Sequence, residues 1–311
     1  MQQYFPNIEL TADQNNGFER LKDFLQNENQ VFILKGFAGT GKTFLIKGVT
    51  KYLRYIENPF VIAAPTGRAA KIISQKTKEK AYTIHKTIYS NADLKEYKTQ
   101  DKEGTETFKF FFELKKNDYP ANTIFIIDEA SMISDVYSEG EFFRFGSGHL
   151  LSDLVKFALL KKEHKVIFIG DSAQLPPVNM NYSPALKMNY FKTNFELSSE
   201  EFQLSKVVRQ KSNSGILLNS IKLRKSIECN IFNELDIDTN YSDTISVDKN
   251  LINNYLKACR NKLDINTIII AYSNQKVKEY NDLVRSLFFP GENKIHSGDF
   301  IVLVHNNYNY E

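Results

Sequence analysis

VFILKGFAGTGKTFLIKGV, residues 31–49, runs a strand, a phosphate cradle and a helix together without a gap. Val31, Phe32, Ile33 and Leu34 form a short apolar run of the kind shown by a strand buried on both faces. Gly36-Phe37-Ala38-Gly39-Thr40-Gly41-Lys42-Thr43 then fills the pattern G-x-x-x-x-G-K-[ST], the Walker A loop. The pattern needs glycines so that the backbone can curl and aim successive N–H groups at phosphate oxygens, and the helix that follows adds its positive N-terminal end. Gly36, Ala38, Gly39, Thr40 and Gly41 are therefore expected to cradle the phosphates of ATP. Lys42 would reach the β and γ phosphates, and the Thr43 hydroxyl would sit on Mg²⁺. The competing reading, a glycine-rich turn that merely starts a helix, is weakened by the strand before it and the helix after it.

The whole chain of 311 residues is 42% hydrophobic and 25% charged, the composition of a globular protein long enough for two cores. A net charge of +3 is too balanced to argue for nucleic acid, so any such surface must be local. Two cysteines, Cys229 and Cys259, exclude a disulfide scaffold or a cysteine-rich zinc site and fit a reducing compartment. The opening MQQYFPNIEL has neither the basic segment nor the apolar core of a signal peptide, and no run approaches the ~20 apolar residues of a membrane span. A cytoplasmic location without membrane association is expected.

Upstream of the cradle, Thr11 is placed as the N-cap of a helix running to about Gln26. Gln14, just ahead of the Walker strand, could offer its amide to adenine N6 and N7; taken alone, a solvated first-turn residue is the better reading. Downstream, Phe60–Ala64 is a second buried strand, ending in Pro65-Thr66-Gly67-Arg68 at the sheet edge where ligands sit in open α/β sheets. Thr66 and Arg68 could touch a phosphate backbone there, although capping and a surface charge explain them nearly as well. Thr83-Ile84-His85 is a further polar cluster after a turn. From about Asn91 to Asn117 a Lys/Glu-rich segment with alternating Phe108, Phe110 and Phe112 predicts an inserted β-hairpin. Its aromatics are best read as a mini-core, with one near the tip free to stack on a base.

Thr123–Ile127 predicts a third strand that delivers Asp128 and Glu129. Beside a Walker loop, this pair divides naturally into a Mg²⁺ ligand, Asp128, and a base that orients and deprotonates water, Glu129. A fourth strand, Val166–Ile169, leads to GDSAQLPPV at 170–178, where Gln174 could bond the γ-phosphate or the water. Four strands with helical crossovers predict an α/β fold built on a parallel sheet with helices on both sides. A second unit begins after Arg209-Gln210, with a helix from Ile216 to Ile227, a strand from Thr267 to Ala271 ending in Tyr272-Ser273-Asn274, and a helix from Gln275 to about Leu287.

Together these motifs resemble the superfamily 1 DNA helicases of the RecD and phage Dda type. The resemblance rests on Gln14, GFAGTGKT at 36–43, APTGRAA at 64–70, TIH at 83–85, DEAS at 128–131, GDSAQLPPV at 170–178, VRQ at 208–210 and GD…NNY near the end. It implies two RecA-like P-loop NTPase domains, the first over 1–203 with a hairpin subdomain at about 90–118, the second over 204–311 and incomplete. It also implies an ATP-dependent helicase moving 5′ to 3′ on single-stranded DNA and at duplex junctions, in DNA repair or recombination. Arg209 would be the arginine finger, and Pro65, Thr66, Arg68, Thr83, His85, Ser273 and Asn274 the DNA contacts. The family continues past the NNY segment with further motifs, so the chain is expected to be C-terminally truncated, to bind ATP and to have weak activity in isolation. Two other readings stay open: an ATP-binding, DNA-binding module without motor activity, and a P-loop enzyme that uses no nucleic acid.

Overall fold

A computed structural model describes residues 3–6, 9–90, 95–100, 106–140, 143–206, 214–231, 236–247, 250–292 and 294–301. Helix α1 (Ala12–Gln26) starts at a capping box: the Gln14 N–H donates to Thr11 Oγ1 at 3.2 Å and the Thr11 N–H to Gln14 Oε1 at 3.1 Å. T-x-x-Q is the sequence form of that device. Strand β1 (Val31–Gly36) passes through the glycine loop into α2 (Lys42–Tyr55). Then come β2 (Phe60–Ala64), α3 (Gly67–Thr77), β3 (Ala81–Thr83) and the short α4 (Ile84–Ile88). Strands β4 (Lys95–Gln100) and β5 (Glu106–Phe112) form the antiparallel hairpin. They are followed by β6 (Ile124–Ile127), β7 (Phe143–Phe145), α5 (Leu150–Ala158), β8 (Lys165–Gly170), α6 (Met188–Phe195) and β9 (Ser199–Leu204).

The main sheet has the order β3-β2-β6-β8-β1-β9, and every neighbouring pair is parallel. Its central strands feed two cores by strict alternation. Val31 and Ile33, Phe125 and Ile127, and Val166 and Phe168 enter the core under α5 and α6, whereas Phe32 and Leu34, Ile124 and Ile126, and Ile167 and Ile169 enter the core under α1 and α2. A period of two with both faces apolar is what makes these strands read as unbroken hydrophobic runs. The four expected strands are all present. Two more, β3 and β9, lie at the two edges, where a short or half-polar strand suffices.

In the second core, Phe5 is 3% exposed and its ring rests on Gly48 of α2, where an added Cβ would stand 1.9 Å from a ring carbon.

The hairpin is part of a three-stranded sheet, because β7 pairs in parallel with β5. Phe110 stacks on Phe143 with centroids 5.9 Å apart, and Phe112 on Phe145 at 4.7 Å, so most of the aromatics do form a packed face. Phe108 is 48% exposed. The expected turn at 101–105 lies outside the described residues. At the junction with the main core the Tyr89 hydroxyl donates to buried Asp153 at 2.7 Å, and the Ser147 N–H donates to the same carboxylate oxygen at 2.9 Å.

The contacts divide the chain into two compact units, Met1–Lys211 and Ser212–Glu311. The first unit extends past the boundary expected at residue 203. The N–H groups of Ser205 and Lys206 both donate to Asp13 Oδ2, at 2.7 and 3.1 Å, tying the chain after β9 back to α1. The second unit contains α7 (Gly215–Cys229), α8 (Leu251–Ala258) and α9 (Asn274–Phe288). The strand expected over Thr267–Ala271 is not formed. Ile268 and Ile270 are 77% and 88% exposed, and no ladder partner lies beside them among the described residues. An apolar run becomes a strand only where a neighbour satisfies its backbone.

Candidate nucleotide site and strand-end loops

The glycine loop takes the shape its sequence dictates. Gly39 and Gly41 have φ of 85° and 89°, a region that costs side-chain-bearing residues about 1–2 kcal/mol. Thr40, fully buried, donates from its N–H and its hydroxyl to the Phe37 carbonyl at 3.2 and 2.9 Å. The Leu45 N–H donates to the Gly41 carbonyl at 2.8 Å and begins the helical ladder of α2. Inside the loop, the Lys42 ammonium donates to the Gly36 carbonyl at 2.6 Å and to that of Phe37 at 3.2 Å. Gln14 is not solvated: it is 4% exposed, and its Nε2 donates to the Thr40 carbonyl at 3.0 Å.

Asp128 and Glu129 stand at the end of β6. Asp128 is 8% exposed, and burial, reinforced by the Glu129 charge, pushes its carboxyl up to about 6 against the opposing pull of Lys42 and Lys76. Glu129 has φ 52° and ψ 40°, a left-handed conformation on a residue with a side chain. Such strain persists only where the surroundings enforce it, and it is concentrated at functional sites. After β8, the Gln174 N–H donates to the Asp171 carbonyl at 3.1 Å, and its side-chain carbonyl accepts from the Ser131 hydroxyl at 3.4 Å. The loops after β6 and β8 are thus joined, and Ser183 extends the link by donating to the Ser131 carbonyl at 2.8 Å.

These loops enclose an open pocket of about 390 Å³. Lys42 and Thr43 line one side, Asp128, Glu129 and Gln174 the other, with Gln14, Ala38, Gly39 and Gly41 along the cradle. Glu9, Phe37, Phe44 and Lys76 complete the lining. The sequence offers no signal for Lys76, one of the two lysines on α3, whereas Phe44 could have been suspected from its place beside Thr43. The residues present fit a nucleotide with Mg²⁺. A side chain at Gly41 would put its Cβ 2.4 Å from Gln14 Nε2, so the cradle is kept open. The oxygen donors Thr43 and Asp128 suit a hard cation, whose charge would offset the burial of the carboxylate. Among the described residues no group of three or more His, Cys, Asp or Glu could hold a metal ion.

The residues expected to touch DNA are placed differently. The Thr66 hydroxyl caps α3 by accepting from the Ala69 N–H at 3.2 Å, Thr83 caps α4 by accepting from Lys86 at 3.1 Å, and Ser273 caps α9 by accepting from Lys276 at 3.2 Å. Arg68 is exposed in the first turn of α3 beside half-buried Pro65, and Asn274 is exposed at the start of α9 in the second unit. His85 turns inward, its ring edge-on to Phe145 at 4.9 Å and 5.6 Å from that of Tyr89. Burial holds its pKa below the usual 6.5. Arg209 and the NNY segment lie outside the described residues, as do residues 302–304.

A phosphate cradle between strand and helix, facing paired carboxylates across the carboxyl edge of a parallel sheet, defines a P-loop NTPase. The chain belongs to the AAA domain family, whose model matches residues 9–228. It is a relative of the superfamily 1 helicases of the RecD and Dda type. It is 24% identical over 305 residues to the ATP-dependent DNA helicase Dda of Enterobacteria phage T4, a match covering 95% of this chain and 61% of that protein. It is 25% identical over 210 residues to the RecBCD enzyme subunit RecD of Buchnera aphidicola, covering 60% of this chain and 31% of that one. Among solved structures, the Pif1 helicase from Candida albicans aligns with a TM-score of 0.47 and 18% identity, over 89% of this chain and 54% of that chain. The chain therefore spans less than two thirds of the length of these relatives. No helix among the described residues is long and apolar enough to cross a membrane.

Proposed function

We propose that the chain is the ATP-hydrolysing part of a DNA helicase or translocase that moves on single-stranded DNA, 5′ to 3′. The observation that carries this reading is the convergence of Lys42, Thr43, Asp128, Glu129 and Gln174 on one pocket, in a chain similar to Dda and RecD. On this reading the compact unit Met1–Lys211, which takes in the 1–203 expected from the sequence, is the first RecA-like domain with the hairpin of about 90–118 inserted, and the residues after it belong to a second.

The roles follow from chemistry. The loop N–H groups and Lys42 bind the triphosphate, and Lys42 also offsets charge that grows during transfer. Thr43 and Asp128 would hold Mg²⁺, which when bound supplies charge neutralisation at the β and γ phosphates. Glu129 orients a water and takes its proton, which makes that water a better nucleophile. Gln174, linked to Ser131, sits where it can respond to the terminal phosphate. Arg209 is assigned as the arginine finger; Pro65, Thr66, Arg68 and Thr83 are assigned as DNA contacts of the first unit and Ser273 and Asn274 as contacts of the second, while His85, expected among them, has its ring packed inward on Phe145 and Tyr89.

The test is ATP hydrolysis with and without single-stranded DNA, on the parent and Glu129→Gln. Expected is DNA-stimulated hydrolysis by the parent, and ATP binding without turnover in the variant. Near-parental turnover by Glu129→Gln removes the base assignment. Hydrolysis indifferent to DNA removes the nucleic-acid reading.

A further inference from the structure

Strand β3 forms one edge of the main sheet, and on it Tyr82 is 40% exposed. An open groove of about 330 Å³ runs beside it, lined by Lys71, Ser74 and Gln75 of α3 and by Tyr82, Thr83 and Lys86. The Lys86 ammonium stands 5.8 Å from the centroid of the Tyr82 ring. A third cation approaches from the chain after the hairpin, where the Lys115 ammonium donates to the Lys86 carbonyl at 2.5 Å. Burial and the Lys86 charge together hold Lys115 below the usual ammonium range, so the two cations feel one another. Among the described residues no carboxylate pairs with Lys71, Lys86 or Lys115.

Two cations without a carboxylate partner, Lys71 and Lys86, beside a half-exposed aromatic ring, with Lys115 bonded to the Lys86 carbonyl, call for an anion that also carries a flat π-face. An acidic peptide supplies the charge without the face. A single-stranded nucleic acid supplies both, because its bases stack on aromatic rings while its phosphates follow a basic groove. We infer that Tyr82 with Lys71, Lys86 and Lys115 forms a stacking step for single-stranded DNA, one base lying on the Tyr82 ring and the adjoining phosphates against the three ammonium groups. The inference rests on the DNA reading above and extends it along the sheet edge, beyond the capped loops at Thr66 and Thr83. Lys86 already covers one face of the ring, so the base takes the other.

The experiment is fluorescence anisotropy of labelled oligothymidylates of about 6 and about 16 nucleotides, within the range of single-strand sites, on the 311-residue chain. The variants are Tyr82→Ala, Tyr82→Phe and the pair Lys86→Gln with Lys115→Gln. Tyr82→Ala should weaken binding of the longer oligonucleotide by about 5- to 150-fold, the range set by removing one stacked base, and Tyr82→Phe should bind like the parent. The lysine pair should lower the slope of log K against log salt by about 0.7 for each phosphate no longer neutralised. Circular dichroism shows whether each variant folds, and if Tyr82→Ala does not, the salt slope of the lysine pair decides. Parental binding with both Tyr82→Ala and the lysine pair unaffected overturns this inference alone. A parent that binds neither oligonucleotide overturns it together with the DNA reading.

Discussion

The side-chain amide of Gln14 donates to the carbonyl of Thr40 at 3.0 Å, so the residue that caps α1 also anchors the phosphate loop. The two duties can be separated. Gln14→Glu can still accept the Thr11 N–H and so keeps the capping box, but it cannot donate to Thr40 and it brings a negative charge to the cradle. Because that charge is buried against the Thr40 carbonyl, the variant should melt below the parent and bind ATP at least about tenfold more weakly, the equivalent of one lost hydrogen bond. Gln14→Ala loses both duties and should also lower stability by about 1–3 kcal/mol. Calorimetric titration with an ATP analogue, paired with thermal melts, checks both variants.

Thr66 offers a similar separation for DNA. Aspartate is as good an N-cap as threonine, whereas alanine costs about 1 kcal/mol. Thr66→Asp should therefore melt like the parent while binding single-stranded DNA more weakly, because it sets a carboxylate beside the proposed phosphate path. Thr66→Ala should show the reverse, lower stability with affinity largely kept. If Thr66→Asp binds as the parent does, Thr66 is a cap and nothing more.

His85 makes the fold sensitive to acid. Burial lowers its folded pKa below 6.5, so its contribution to stability is complete above the unfolded value and is lost as pH falls through the folded one. His85→Phe preserves the ring contacts with Phe145 and Tyr89 and removes the titration. Urea midpoints taken at about pH 8 and about pH 5.5, on either side of the ordinary histidine pKa, should fall further for the parent than for the variant. Equal falls would show that His85 titrates in the folded protein as it does in the unfolded chain.

Gly48 is needed because Phe5 lies on it. Gly48→Ala should destabilise the protein by about 1–3 kcal/mol, the usual cost of overpacking. In a background of Phe5→Ala the same change should cost almost nothing, since the ring it displaces is gone. Denaturant melts of the four proteins close the cycle, and additive losses would contradict the clash.

The strands easiest to read were those buried on both sides. β1, β2, β6 and β8 are apolar runs because neither face meets water, and the motifs at their ends follow directly. β9, SEEFQL, alternates too weakly to stand out, and β3 has three residues, so the sheet edges were not legible. β7 was equally hidden, because a three-residue FRF becomes a strand only through its partner β5. The candidate site was legible where a motif dictates backbone shape, as at Gly41 and Lys42, and in the carboxylate pair Asp128-Glu129. It was not legible where spacing says nothing of direction. His85 could face out or in, Gln14 could be solvated or buried, and Lys76 reaches the pocket only through the path of α3.

The order β6-β8-β1 gives the sheet a further property. The carboxylates follow β6, Gln174 follows β8, and the phosphate cradle follows β1, so three functions stand at three consecutive strand tips. Neighbouring strands are held about 4.8 Å apart by their hydrogen bonds, so the tips of β1 and β6 stand about 10 Å apart, and the side chains of the cradle and the carboxylates reach toward one another across that gap. The sheet is thus a ruler for the candidate site. Its graduations are strand spacings, and Gln174 occupies the middle mark, between the cradle proposed for the phosphates and the carboxylates proposed for hydrolysis.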